Sequence, residues 1–108
     1  MRERQAIRHE TVEVDGVTLF YREAGRPDAP GLLLLHGDLA SSFSFRDVMG
    51  PLAEVARVVA PDLPGFGGRT EVPDDYELGF DNVARTIDRF TRRIGLERVF
   101  LYVHDYGS

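Results

Sequence analysis

The chain has 108 residues, enough for one small domain, and 43% of them are hydrophobic, so it can bury a core. Its net charge is −5 and all thirteen basic residues are arginines, an acidic balance that argues against a general binder of nucleic-acid phosphates. Cysteine is absent, which excludes disulfides and thiolate chemistry. We expect a soluble, cytoplasmic protein, because the charged N-terminus lacks a signal-peptide core and no stretch approaches the ~20 apolar residues of a membrane span.

The first element is a predicted β-hairpin. Residues 11–14 and 17–21 alternate between apolar and polar side chains, and the pair Asp15-Gly16 lies between them. This pattern is typical of two strands joined by a tight turn, and we interpret it as structural. Residues 25–30 form a loop rich in glycine and proline.

A central strand is predicted for residues 31–35, Gly-Leu-Leu-Leu-Leu. The run is too short for a free-standing helix and fits a strand covered on both faces, as in a parallel sheet. His36-Gly37-Asp38 follow at once, and a glycine here lets the backbone turn tightly toward a ligand. The residues alone leave two interpretations open: an oxyanion hole with the amide of Asp38 as one donor, or an ordinary turn in which His36 fixes the loop by hydrogen bonds.

Residues 41–56 have the apolar spacing of a helix. The members of this stripe are Phe45, Val48, Met49, Leu52, Ala53 and Ala56, and we interpret its Phe and Met residues as core. Pro51 cannot donate to the carbonyl of Asp47, so we expect a kink or a restart there. Residues 58–60 form the next strand, followed by a turn-rich loop over 61–69. Because this loop has neither G-x-G-x-x-G nor Gly-Lys-Ser/Thr, nucleotide binding is not predicted.

A second helix is predicted between Gly79 and Gly95. Its apolar stripe consists of Phe80, Val83, Ala84, Ile87, Phe90 and Ile94. Asp81 lies in the first turn and Arg92 and Arg93 in the last, which suits the helix dipole. We interpret the arginines as a solvated face.

The last strand is predicted from residue 99. Hairpin, strand, helix, strand, helix and strand in this order imply an antiparallel hairpin leading into a mostly parallel sheet flanked by helices. Ligands bind at the carboxyl ends of the strands in such sheets. Both His36-Gly37-Asp38 and Asp105 follow such ends, so we expect them to be neighbours in space.

The chain ends on a pattern that resembles a nucleophile elbow. Residues 103–107 read Val-His-Asp-Tyr-Gly, with Asp105 at the nucleophile position. Gly107 is small enough for such a crowded turn, whereas Val103 meets that requirement only partly.

Three motifs in this order resemble the N-terminal part of an α/β-hydrolase fold and together span nearly the whole chain. They are the leucine run into His36-Gly37, the segment 60–67 (Ala-Pro-Asp-Leu-Pro-Gly-Phe-Gly) and the elbow at 103–107. Asp105 in place of serine resembles the haloalkane dehalogenase and epoxide hydrolase branch. The resemblance implies one partial α/β domain over residues 1–108, with an incomplete sheet, ending just after the elbow.

This resemblance implies a mechanism with Asp105 as the catalytic nucleophile. Its carboxylate attacks an electrophilic carbon, displaces halide or opens an epoxide, and forms an alkyl-enzyme ester that water hydrolyses. His36, Gly37, Asp38 and Tyr106 are the predicted oxyanion and substrate-binding residues, with the amides of Asp38 and Tyr106 as donors. In the family, a histidine and an acid from later in the chain activate the water. The 108 residues alone are therefore expected to be inactive.

Some residues depart from the family pattern and leave the substrate open among halides, epoxides and esters. Dehalogenases usually have Asn-Pro after His-Gly, whereas this chain has Asp38-Leu39, and an anionic side chain there would repel halide. They also usually have Trp after the nucleophile, where this chain has Tyr106. His104 is closer to epoxide hydrolases.

Two other hypotheses are a non-catalytic binding or structural domain, with Asp105 as a turn residue, and a metal site. The metal site would use His36, Asp38, His104 and Asp105, but no ligand pair has H-E-x-x-H spacing, so we predict no metal and no cofactor. The predicted partner is a small-molecule substrate, with neither nucleic acid nor a membrane. The open edge of the sheet makes self-association an additional expectation.

Overall fold

The protein has a five-stranded sheet with helices packed on both faces. A computed structural model describes residues 6–37, 41–65 and 68–96, together with the backbone of residues 99–103. The elements are β1 (Arg8–Val14), β2 (Val17–Ala24), β3 (Gly31–Leu35), a 3₁₀ helix (Ser42–Phe45), α1 (Arg46–Leu52), β4 (Arg57–Pro61), α2 (Phe80–Arg93) and β5 (Val99–Val103).

The predicted hairpin is confirmed. β1 and β2 pair antiparallel, with Val14 opposite Val17. The two turn residues have positive φ, 50° at Asp15 and 84° at Gly16. A two-residue turn of this hand matches the twist of the flanking strands, and Asp-Gly adopts it at low cost.

The strand order is β1-β2-β4-β3-β5. β2 is antiparallel to both β1 and β4, whereas β3 is parallel to both β4 and β5. The hairpin therefore leads into a parallel region, as predicted. In that region Leu35 at the end of β3 lies opposite Val103 at the end of β5.

The core consists of two clusters, one containing α2 and one containing α1. Ile87 and Phe90 of α2 pack with β2, β3 and β4, and the ring of Phe90 meets Tyr21 edge-on at 5.0 Å between centroids. The other cluster joins Phe45 and Met49 to residues of the same three strands. Since successive side chains of a strand point to opposite faces, β3 and β4 contribute to both clusters, which explains their continuous apolar sequences.

The predicted break at Pro51 is wrong in its position. The chain forms the 3₁₀ helix first, capped by Ser41, whose hydroxyl accepts from the amide of Phe43 at 3.2 Å, and α1 then begins at Arg46. Pro51 falls in the last turn of α1, which ends one residue later, so the missing donor lies at the end of this helix and not in the middle of a longer one. Val48 is 46% exposed and not core, because it lies off the face that contains Met49.

The ends of α2 agree with the prediction, but its first turn does not. Gly79 is extended and Gly95 has a φ of 73°, so each bounds the helix as expected. Phe80 is 88% exposed and Ala84 is also exposed, although both belong to the apolar stripe. The first buried residue of the helix is Thr86, so its N-terminal part lies outside the contact with the sheet. No helix within the described ranges is long and apolar enough to span a membrane.

A matched pair of glycine substitutions tests the backbone of the loop after β2. Gly25 has a φ of 100°, and a Cβ there would lie 2.1 Å from the carbonyl oxygen of Ala56. Gly95 also has a positive φ, but a Cβ there would meet open space. We expect Gly95→Ala to cost about 1 kcal/mol from backbone strain alone and Gly25→Ala several times more. Urea denaturation measures both, and equal losses would show that the contact with Ala56 relaxes freely.

Candidate functional site

The sheet brings the exits of β3 and β5 to one edge. His36 and Gly37 continue directly from β3, and the backbone of β5 runs parallel to β3 up to Val103. The carboxyl ends of β3 and β5 are therefore neighbours at this edge of the sheet. Asp38, His104, Asp105 and Tyr106 lie outside the described residues, so their predicted roles stay predictions.

His36 is 3% exposed and is held by hydrogen bonds on both ring nitrogens. The amide of Leu63 donates to Nε2 at 2.9 Å, and Nδ1 lies 2.8 Å from the carbonyl oxygen of Gly37. Since Nε2 accepts, we assign the ring proton to Nδ1, which donates to that carbonyl. The hypothesis that His36 fixes the loop by hydrogen bonds is thus confirmed.

The bond to Gly37 also bears on the predicted oxyanion hole. In a trans peptide the carbonyl and the next amide N–H point in opposite directions within one plane. By holding the carbonyl of Gly37, His36 restricts the peptide group to which the predicted donor, the amide of Asp38, belongs. The role of the Asp38 amide as an oxyanion donor stays a prediction.

Asp62, at the exit of β4, is the main polar group that the sequence analysis missed. It is 2% exposed, and its carboxylate accepts from two backbone amides: Oδ1 from Ser42 at 2.7 Å and Oδ2 from Arg69 at 2.7 Å. Its own carbonyl accepts from the hydroxyl of Thr70 at 2.6 Å. Hydrogen bonds to an ionised acceptor are the strong ones, so Asp62 joins three segments firmly.

Asp62 and Leu63 together hold both ends of the predicted oxyanion loop. Leu63 binds His36 where β3 ends, and Asp62 binds Ser42 where the 3₁₀ helix begins. We call this pair the Asp62–Leu63 anchor. The residues between its two attachment points include Gly37 and Asp38. The sequence does place an acid, Asp62, directly after an apolar strand, which is a signal that could have drawn attention to it. Its hydrogen-bond partners could not be predicted, because Ser42 is distant along the chain.

Gly68 allows the loop after β4 to cover the carboxylate. A Cβ at this position would lie 2.5 Å from Oδ2 of Asp62 and 2.6 Å from its Cγ. Real atoms do not approach so closely, so any larger residue must displace the carboxylate or the loop.

Arg22 supplies a buried positive charge beside this acid. It is 7% exposed, and its Nε donates to the hydroxyl of Ser42 at 3.0 Å while Nη1 donates to Nε2 of His9 at 2.7 Å. Burial lowers the pKa of Arg22, and the negative charge of Asp62 raises that pKa and so opposes the effect. Ser42 therefore connects the two buried charges, its amide binding Asp62 and its hydroxyl binding Arg22.

The metal hypothesis gains no support from the described residues. Within residues 6–37, 41–65 and 68–96, no group of three or more His, Cys, Asp or Glu side chains could hold a metal ion. His36 would have to break its bond with Leu63 or with Gly37 to offer a lone pair. The other three proposed ligands lie outside the described ranges.

Comparison with known proteins identifies the family. A family model described as alpha/beta hydrolase fold matches residues 30–108, and the chain belongs to this family. It is 42% identical over 100 residues to the uncharacterized hydrolase YNR064C of Saccharomyces cerevisiae, with 93% of this chain and 34% of that protein covered. A haloalkane dehalogenase of Bradyrhizobium diazoefficiens is 39% identical over 93 residues, with 86% and 29% covered.

Solved structures agree with the sequence relatives. The crystal structure of the haloalkane dehalogenase DbeA from Bradyrhizobium elkani superposes with a TM-score of 0.85 at 36% identity, covering 94% of this chain and 34% of that one. The epoxide hydrolase VrEH1 from Vigna radiata gives a TM-score of 0.78 at 35% identity, covering 94% and 33%. The predicted fold and its dehalogenase and epoxide hydrolase relatives are confirmed. The chain spans about a third of the length of these relatives.

Replacing Asp62 by asparagine tests the Asp62–Leu63 anchor. The amide keeps one acceptor oxygen but turns an NH₂ group toward one of the two backbone donors, so one buried N–H loses its partner. We expect a loss of about 2 kcal/mol in the free energy of unfolding, measured by urea denaturation. The control is Asp28→Asn, because the side chain of Asp28 is 81% exposed and its ion pair with Arg26 is long, at 3.8 Å. A loss no greater than that of the control would contradict the role of Asp62.

Proposed function

We propose that this chain carries the nucleophile and the oxyanion loop of a hydrolase that forms an alkyl-enzyme ester on Asp105 from a haloalkane or an epoxide. The observation that carries the proposal is the parallel register of β3 and β5, in which Leu35 lies opposite Val103. The oxyanion motif begins at His36, one residue after Leu35, and Asp105 lies two residues after Val103. The relatives named dehalogenase and epoxide hydrolase support the same chemistry.

In the first step a carboxylate oxygen of Asp105 forms a bond to the electrophilic carbon. The carbon–halogen bond breaks and halide leaves with the electron pair, or the epoxide carbon–oxygen bond breaks and its oxygen takes up a proton from water. A carboxylate suits this attack because an ordinary aspartate is already ionised at neutral pH and needs no base. Orientation of the substrate is then the main requirement of this step.

In the second step water attacks the carbonyl carbon of the ester and an oxyanion develops. The amides of Asp38 and Tyr106 are the proposed donors to that oxygen. The contacts of His36 support this assignment, because they restrict the peptide group that follows Gly37. Collapse of the tetrahedral intermediate restores the carboxylate of Asp105 and releases the alcohol, or a diol from an epoxide.

Water activation requires a base that neither described histidine supplies. His36 has both ring nitrogens in hydrogen bonds. Nε2 of His9 accepts from the guanidinium of Arg22, so its lone pair faces a cation. We therefore propose that the 108 residues alone support at most one alkylation of Asp105, and that turnover needs the histidine and acid that the family carries later in its chains.

The nucleophile is tested in a longer protein that contains this chain and the later family residues. The substrates are 1-bromobutane, styrene oxide and p-nitrophenyl butyrate, one from each open class. We expect Asp105→Asn to lower the hydrolysis rate by roughly a thousandfold or more, because the nucleophile is lost. Asp28→Asn serves as the exposed control and should retain activity. Unchanged rates in Asp105→Asn would contradict the role of Asp105 as the nucleophile.

A second readout identifies the bond itself. After incubation of the 108-residue chain with 1-bromobutane, mass spectrometry should show one added alkyl group on the peptide that contains Asp105. The Asp105→Asn variant should show none. An adduct on another residue would contradict the mechanism even if the rates fell.

A further inference from the structure

Three arginines and two phenylalanines alternate next to the 3₁₀ helix, with Phe20 and Arg22 buried and the other three exposed. The guanidinium carbon of Arg46 lies 3.9 Å from the ring centroid of Phe43, and that of Arg22 lies 5.4 Å from the same ring. Arg22 is also 5.3 Å from the ring centroid of Phe20, and Arg69 lies 5.0 Å from that ring. We call these five residues the arginine ladder. Each distance is within the range of a cation–π contact.

The arginine ladder has an excess of positive charge. Across the described parts of the chain, the ion pairs use other arginines, namely Arg8, Arg26, Arg57, Arg89 and Arg92. The acid that acts on Arg22 is Asp62, whose two carboxylate oxygens already accept from backbone amides. After burial, the charges of Arg69 and Arg46 further lower the pKa of Arg22, so each of these two cations is close enough to Arg22 to repel it.

Two of these cations are accessible and pre-oriented. Arg46 and Arg69 are exposed. Arg46 also donates from Nη1 to the carbonyl of Phe43 at 3.1 Å. Each guanidinium is held against a ring, so it loses less freedom when it binds a ligand. Behind them Arg22 is 7% exposed and fixed by Ser42 and His9. A net charge of −5 makes this local excess of arginine stand out.

We propose that the arginine ladder binds a phosphate group, with Arg46 and Arg69 as direct donors and Arg22 as a supporting buried charge. A guanidinium presents parallel N–H groups that match two oxygens of a phosphate, and a dianion relieves the repulsion among three cations. Phe43 is 51% exposed and offers an apolar surface next to the charge. The ligand is thus a phosphomonoester, either soluble or the headgroup of a lipid. This site does not involve Asp105 and is independent of the proposed hydrolase mechanism.

The test is calorimetric titration of the 108-residue chain with inorganic phosphate and with glycerol phosphate at constant ionic strength. We expect saturable binding that weakens roughly tenfold in Arg46→Gln and in Arg69→Gln, since each removes charge-assisted hydrogen bonds. Arg93→Gln is the matched control, because it removes the same charge from an exposed position at the end of α2. Circular dichroism and thermal unfolding of every variant show that each is folded under the conditions of the titration.

Vesicles distinguish the two sources of the phosphate. Co-sedimentation with phosphatidic acid vesicles, absent with phosphatidylcholine and lost in Arg46→Gln and Arg69→Gln, would assign a lipid headgroup. Binding of glycerol phosphate without co-sedimentation would assign a soluble phosphomonoester. The proposal would be overturned if the chain bound neither soluble probe saturably and did not co-sediment with the vesicles. It would also be overturned if Arg93→Gln weakened binding as much as Arg46→Gln and Arg69→Gln do.

Discussion

The site depends most on the hydrogen bonds that the buried carboxylate of Asp62 accepts. A charge with 2% exposure is costly unless hydrogen bonds and an opposite charge replace water. Here two backbone amides, from Ser42 and Arg69, meet the two oxygens, and Arg22 lies nearby as the buried cation. Ser42, after β3, and Arg69, after β4, are therefore joined through the carboxylate of Asp62.

The parts of the fold that follow local rules could be predicted from the sequence. The turn at Asp15-Gly16 and the leucine strand depend on a few adjacent residues, and the alternation of apolar runs with helices predicts a mostly parallel sheet. The helices were less predictable at their margins. Phe80 has the spacing of a core residue but is exposed, because the first turn of α2 lies outside the contact with the sheet. Pro51 lies in the last turn of α1 and not in the middle of a long helix, because α1 begins only at Arg46 and ends at Leu52.

The anchoring contacts could not be predicted, because their partners are far apart along the chain. Ser42 and Asp62 are 20 residues apart, and His36 and Leu63 are 27 apart. Neither separation is one from which a contact can be predicted, as the separations of three or four residues within a helix are. Gly68 illustrates the same limit, because its lack of a side chain is explained only by the carboxylate that lies against it. The motifs predict where the chemistry lies, whereas the contacts of His36 and Asp62 became visible only in the structure.

The two steps of the proposed mechanism place different demands on this scaffold. Attack by an ionised aspartate needs no base and requires mainly alignment, which the register of β3 and β5 provides as far as the strands extend. Hydrolysis of the ester requires donors already aimed at a developing charge, so it depends on the loop that His36 and the Asp62–Leu63 anchor hold. On this mechanism a loosened loop would slow hydrolysis of the ester more than its formation, and the enzyme would accumulate in its alkylated form. On this mechanism the buried polar contacts support hydrolysis of the ester, whereas the pairing of β3 with β5 supports its formation.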